Sequence, residues 1–281
     1  MQVITASQYP ILLTQAATGY AKLWVEGSVA ALDTPCISIV GTRKITGYGQ
    51  GVIEHLVPGL VRAGLTVVSG LALGVDAYAQ RVALESGGRC VAVLGSGLHQ
   101  VYPASNRRLA EEIIQKGALV SAYEPTVTAR KHHFPERNRI IAALSLVTLV
   151  IEAAADSGSL ITARAAVQMN RDVAAVPGDI MRESSHGCIT LIQDGAKPIR
   201  CVEDIIQLYQ QTLPLQIVDN LKPALTGTMA TLYATISNGV QRVDEMLRHT
   251  GLPLTSVQNA LSLLEIEGYI CQRQQQWHAI S

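Results

Sequence analysis

The residues with the most to offer a ligand are concentrated between Arg130 and Arg164, in RKHHFPERNRIIAALSLVTLVIEAAADSGSLITAR. Four cations, Arg130, Lys131, Arg137 and Arg139, surround one acid, Glu136. Among them stands Phe134, the only phenylalanine of the chain. Cations that take phosphates beside a ring that takes a base make up a site for single-stranded nucleic acid. Asn138 falls inside the same FPERNR run and is counted with it. His132 and His133 stand directly before the ring. The competing reading is a plain solvated charged face. Arg137 and Arg139 share one helical turn and are not both expected to be buried.

A second loop, Ser157-Gly158-Ser159, opens the helical pattern that runs through Arg164. Free N–H groups and a partial positive charge at a helix start cradle a phosphate. Two serines there also make an ordinary N-cap, which is the bland alternative. A third loop, IVGTRKITGYGQG (39–51), follows an apolar run and opens a helix. Gly41, Thr42 and Arg43 suit an anion, with backbone amides and a fork-shaped cation; a tight turn with a surface arginine is the competing reading. GYGQG is a weak match to a dinucleotide fingerprint. Its glycines come late, and no ribose-binding acid stands near Ser69-Gly70, where the second apolar run ends.

Signals for catalysis are thin. GxxxxGK[ST], HExxH and GxSxG are absent, so neither a P-loop, a zinc protease site nor a nucleophile elbow is expected. Glu152, at a strand end, and Asp76, at a helix start, are the best-placed acids, and no partner stands out for either. The expectation is a binding protein without metal or cofactor, not an enzyme.

These loops need a scaffold. Hydrophobic content of 48% in 281 residues builds a substantial core. Zero net charge means that any basic site is local. Six short apolar runs recur: ISIV (37–40), TVVS (66–69), VAVL (91–94), ALVSA (118–122), VTLVI (147–151) and VAAV (173–176). Continuous rather than alternating runs mark strands buried on both faces, hence a parallel sheet. Helical stretches alternate with them, at roughly 50–63, 75–87, 105–116, 135–145 and 159–170. The class is α/β, doubly wound. Four strands run into glycine on the ligand-binding rim, at Gly41, Gly70, Gly95 and, after Pro177, Gly178. LWVEG (23–27) reads as an extra edge strand.

The domain boundaries expected are an extension over 1–35, the α/β core over 36–212, a linker over 213–226 and a small domain over 227–281. Three helical patterns at 227–237, 240–249 and 255–267, then YICQRQQQWHAI as strand–turn–strand, form a winged-helix pattern. Its third helix carries Glu265 and Glu267 but no Lys or Arg. Reading a major groove needs phosphate neutralisation, so this domain is expected to touch protein, or duplex only weakly. The five cysteines show no zinc spacing and read as reduced, buried residues of a cytosolic protein. MQVITASQYP lacks the pattern of a signal peptide, and no apolar run approaches a membrane span of about 20 residues.

IVGTRK, SGLALGVDAYA, AVLGSGLHQVYPASNRRL, FPERNRIIAALS, EAAADSGSLITARAA and DVAAVPGDI occur in the order of the DNA-processing protein A family, DprA or Smf. The resemblance covers about Tyr9 to Arg200 and continues into the winged helix. It implies an extended Rossmann fold with helices on both faces of a parallel sheet and a small C-terminal winged-helix, DML1-like domain. It also implies a cytoplasmic protein that binds single-stranded DNA, protects incoming strands in natural transformation, helps load the RecA recombinase, and forms homodimers through the Rossmann domain. Motif by motif, the implied pocket holds Arg43, Lys131, Phe134, Arg137, Arg139, Ser157, Gly158 and Ser159; Gly41, Thr42, Gly70, Asn138 and Arg164 are added from the same loops. The chain departs from the pattern at Leu73, Gln80, His99, Asn170 and Ile189, and Leu73 takes one cation from the rim. The extra N-terminal helical domain of many members is not expected in a chain this short.

Two rivals stand beside this reading. One is a nucleotide-processing enzyme of the lysine-decarboxylase-like phosphoribohydrolase type, whose PGGxGTxxE motif is missing. The other is a winged-helix transcription regulator with an α/β sensor.

Overall fold

The computed structural model describes residues 1–16, 18–212, 225–266, 269–273 and 276–279. Two compact units divide the chain, Met1–Lys222 and Pro223–Ser281. All but the last two residues of the linker expected at 213–226 lie outside the described residues.

The larger unit is built on one nine-stranded sheet. Its strands are β1 (Gln2–Thr5), β2 (Lys22–Gly27), β3 (Cys36–Val40), β4 (Thr66–Ser69), β5 (Cys90–Leu94), β6 (Ala118–Ser121), β7 (Val147–Val150), β8 (Asp172–Ala175) and β9 (Lys197–Pro198). They lie in the order β1-β2-β6-β5-β4-β3-β7-β8-β9. From β6 to β9 every pairing is parallel; β2 alone runs against its neighbours. LWVEG therefore lies inside the sheet rather than at its edge, because β1 covers it. The run QVIT was too short and too polar to be recognised as a strand. Its single buried residue is Ile4.

The helices are α1 (Ile11–Gln15), α2 (Gly47–Arg62), α3 (Val75–Glu85), α4 (Arg107–Lys116), α5 (His133–Ala143), α6 (Ser159–Gln168), α7 (Glu183–Gln193) and α8 (Val202–Thr212). Alternation along the strands divides the core between them. In β5, Cys90, Ala92 and Leu94 face the layer of α2, α3, α4 and α8, while Val91 and Val93 face α5 and α6. All five are essentially inaccessible to water. Both faces are covered, as the unbroken apolar runs require.

From β3 the chain winds outward through β4, β5 and β6, then returns through α5 to place β7 on the other side of β3. This reversal opens a crevice between the carboxyl ends of β3 and β7, the position at which open α/β sheets take ligands.

The smaller unit has α9 (Gly227–Ser237), α10 (Val243–Thr250) and α11 (Leu254–Ile266), then the antiparallel pair β10 (Ile270–Arg273) and β11 (Gln276–Ala279). Leu232, Met246, Val257, Leu261 and Trp277 close its own core. The expected three helices and hairpin are all present; Glu267 lies outside the described residues.

Among the described residues no helix is long and apolar enough to cross a membrane. Cys36, Cys90 and Cys188 are buried, and burial pushes their thiols up to about 12. Cys201 and Cys271 are only half-buried, contrary to the expectation for all five.

Candidate nucleic-acid interface

A cleft of about 610 Å³ opens at the switch point. Gly41 and Arg43 reach it from the loop after β3, and Ser157, Gly158 and Ser159 from the loop after β7. Lys131, Phe134, Arg137 and Asn138 enter from the start of α5. The N-termini of α5 and α6 thus converge on one space, where their partial positive charges favour an anion. Arg43, Lys131 and Arg137 line it against one acid, Asp76.

The loop after β3 is held from beneath. Thr42 N–H donates to the Glu152 carbonyl (2.8 Å), and the Thr42 carbonyl accepts from Val75 N–H (3.1 Å). Thr46 N–H (2.9 Å) and its hydroxyl (2.7 Å) both donate to the Glu152 carboxylate. Ser184 adds a longer bond at 3.4 Å. Glu152 is 2% exposed, so this strand-end acid is a loop anchor. Glu152→Ala removes the carboxylate to which the half-buried Thr46 donates twice and is expected to cost about 1–3 kcal/mol of stability in a urea titration; Glu152→Gln keeps one acceptor and is expected to cost less. Gly74, at φ 79°, completes the support, since a Cβ there would collide with the Thr42 and Arg43 backbone.

Arg137 corrects the expectation of a solvated phosphate contact. It is 5% exposed. Its Nη1 donates to the carbonyls of Gly70 and Val93 (2.6 Å to the latter), tying α5 to the ends of β4 and β5. A Cβ on Gly70 would fall inside the guanidinium. Asp76, also buried, accepts from Gly70 N–H at 3.1 Å and balances the cation. Burial pushes Asp76 up and Arg137 down, and the attraction between the two opposes both shifts. Arg137 Nε has no hydrogen-bond partner among the described residues. The guanidinium is therefore a charged floor to the cleft, with its buried Nε–H unused.

Helical spacing carried this information. His133, Arg137, Ile140, Ile141 and Leu144 follow one another at the intervals of a single helix face, and all are buried. Arg139 falls on the opposite face, exposed and outside the cleft. His133 is a framework residue: its Nδ1 lies 3.0 Å from the Gly95 carbonyl and must be the protonated nitrogen there, while its ring stacks on Tyr123 at 4.0 Å. His132 is exposed.

Phe134 is half-buried, with the Arg43 guanidinium 5.4 Å over its ring centroid. Tyr102, in the loop after β5, lies beside it at 5.8 Å with planes tilted by 50°. Tyr102 also lines the cleft and is 53% exposed. It went unnoticed in the sequence, although a loop leaving a parallel strand on the ligand-binding rim was the signal to follow. Asn138 Nδ2 reaches the Gly158 carbonyl at 3.4 Å and links the two halves of the cleft. Ser157 and Ser159 bond each other at 2.8 Å, and Ser157 caps the Ser159 N–H only weakly, at 3.4 Å.

Not every expected residue reaches the cleft. Thr42 is occupied in the loop framework, and Gly70 lines a small recess beside the cleft with Arg43 and Phe134. Arg164 lies exposed along α6, away from the lining. Among the described residues no group of three or more His, Cys, Asp or Glu is placed to hold a metal ion.

Comparison with known proteins agrees with this architecture. The family model for DNA recombination-mediator protein A matches residues 1–210, and that for the DprA winged helix domain matches residues 219–275. Protein Smf of Synechocystis sp. is 45% identical, over 94% of this chain and 76% of its own. DNA processing protein DprA of Bacillus subtilis is 39% identical, over 73% of this chain and 69% of its own. The crystal structure of DNA processing protein A from Streptococcus pneumoniae superposes with a TM-score of 0.71 at 38% identity, covering 73% of each chain. The solved structure of DNA processing protein A from Helicobacter pylori gives a TM-score of 0.68 at 30% identity, covering 76% of this chain and 98% of the other. The chain with its switch-point cleft and winged helix belongs to the DNA-processing protein A family.

Proposed function

We propose that this chain is a binding protein for single-stranded DNA, with Arg43, Lys131 and the Ser157–Ser159 loop holding phosphates over the Arg137 floor. Phe134 and Tyr102 supply aromatic surface for bases. The carrying observation is the convergence of three cations, two rings and two helix N-termini on one cleft with a single, hydrogen-bonded acid. The Helicobacter pylori structure, described as revealing a single-stranded DNA binding mode of that protein, supports the reading. Protection of incoming strands, loading of RecA and self-association through the Rossmann domain complete the proposal on the strength of family membership. The winged helix contacts protein in this reading: Leu254, Leu263 and Ile266 are exposed on α11, which carries no Lys or Arg.

Fluorescence anisotropy with a thymidine oligomer and a duplex of the same length tests the core of it. Single strands should bind more tightly, and binding should weaken with salt by about 0.7 in log–log slope per phosphate held. Lys131→Ala should weaken every sequence alike and make the slope shallower by about 0.7. A flat salt response, or equal affinity for duplex, would refute the reading.

A further inference from the structure

A second cleft, of about 380 Å³, adjoins the first and shares Tyr102, Lys131 and Phe134 with it. Its remaining walls come from the loop after β5, through Gln100, and from the segment ahead of α5, through Thr128 and Arg130. The two walls are latched together by backbone: Gly97 N–H donates to the Val127 carbonyl (2.8 Å) and His99 N–H to the Pro125 carbonyl (3.0 Å). The Ser96 hydroxyl donates to the Gln100 carbonyl at 2.6 Å, and Ser121 donates to the Ser96 carbonyl at 2.6 Å. A cavity tied this way is formed before any ligand arrives, which lowers the ordering cost of filling it.

The lining repeats the chemistry of the main cleft. It holds two exposed cations, Arg130 and Lys131, and no acid. Gln100 and Thr128 are its neutral hydrogen-bonding side chains, and Tyr102 stands on the ridge between the two spaces. The 50° tilt between Tyr102 and Phe134 keeps the two rings from stacking on each other, so Tyr102 keeps surface to offer. Arg130 and Gln100 line only the second cleft.

We propose that the second cleft is a continuation subsite for the same polydeoxynucleotide. A strand seated in the main cleft crosses the Tyr102–Phe134 ridge, stacks a further base on Tyr102 and places a further phosphate on Arg130. This rests on the main cleft binding single strands. Shared walls at three residues make one continuous strand, rather than a separate small ligand, the occupant that fits both spaces.

Anisotropy with thymidine oligomers from about 4 to about 16 nucleotides, a span typical of single-strand sites, tests this on wild type, Arg130→Ala and Gln100→Ala/Arg130→Ala. Both residues are exposed, so the fold is retained. The shortest oligomers that bind should be held as in wild type. The longest should lose about tenfold with Arg130→Ala, as loss of a charge-assisted bond predicts, with a salt slope shallower by about 0.7. If wild type binds but the variants lose nothing on long oligomers, or lose equally on short and long, the second subsite is overturned and the main cleft stands. If wild type binds no single strand at any length, both readings fall.

Discussion

Replacing Arg137 by methionine is expected to destabilise the larger unit by about 3–5 kcal/mol, the usual cost of removing one partner of a buried charge pair. Methionine reaches only as far as the position of Nε, so the volume of the buried guanidinium is lost together with its charge and its donors. Two strand-end carbonyls, Gly70 and Val93, lose their donor, and the buried Asp76 is left uncompensated. The effect depends on pH with a definite sign. Burial already holds Asp76 above the ordinary carboxylate range, and loss of Arg137 raises it further. An acid whose folded pKa is raised binds its proton more tightly in the native state, so ionisation weakens the fold. The deficit of Arg137→Met should therefore be largest when Asp76 is ionised in wild type, and should shrink as pH falls through its pKa. Urea midpoints measured across an acid pH series check this. Asp76→Asn/Arg137→Met should recover part of the loss at neutral pH; a double variant as unstable as the sum of the two singles would contradict the pairing.

Phe134→Ala and Arg43→Ala should each weaken single-strand binding by about one to two orders of magnitude, for different reasons. Base stacking on an aromatic ring contributes about 1–3 kcal/mol. A charge-assisted contact to phosphate is of similar size, about 1.5–3 kcal/mol. Salt separates them. Arg43→Ala should flatten the log–log slope by about 0.7, while Phe134→Ala should leave it unchanged. The two are also coupled, because the Arg43 guanidinium lies over the Phe134 ring. A cation–π contact at an exposed site contributes about 0.5–1 kcal/mol, so the double variant should lose less than the product of the single losses by that amount. Strict additivity in the double-mutant cycle would mean that the ring does not position the guanidinium.

Much of the framework was legible because buried parallel strands leave an unbroken apolar signature. All six apolar runs became strands, and the glycines that follow them fell on one rim. That rim logic placed Gly41, Arg43 and Ser157–Ser159 together although they are far apart in the chain. What it could not supply was orientation around the axis of α5. FPERNR contains two arginines in one turn, and their opposite fates depend on carbonyls at Gly70 and Val93, contributed by strands distant in sequence. The buried helix face through Ile140 and Leu144 pointed to the answer, but reading it required counting a cation as a core residue. β1 and β9 were missed for a different reason. They are short edge strands whose mostly exposed residues leave almost no apolar trace.

Glu152 binds the loop after β3 at both ends, through its carbonyl to Thr42 and its carboxylate to Thr46. The conformational entropy of the intervening residues is thus lost during folding, at about 1–2 kcal/mol for each backbone position. A nucleic acid that arrives at Arg43 meets a segment with little disorder left to remove. Encounter can lead to a docked strand without a slow loop-closing phase. Association is then expected to approach the rate set by diffusion and electrostatic attraction, and differences in affinity among variants of this loop to appear in dissociation.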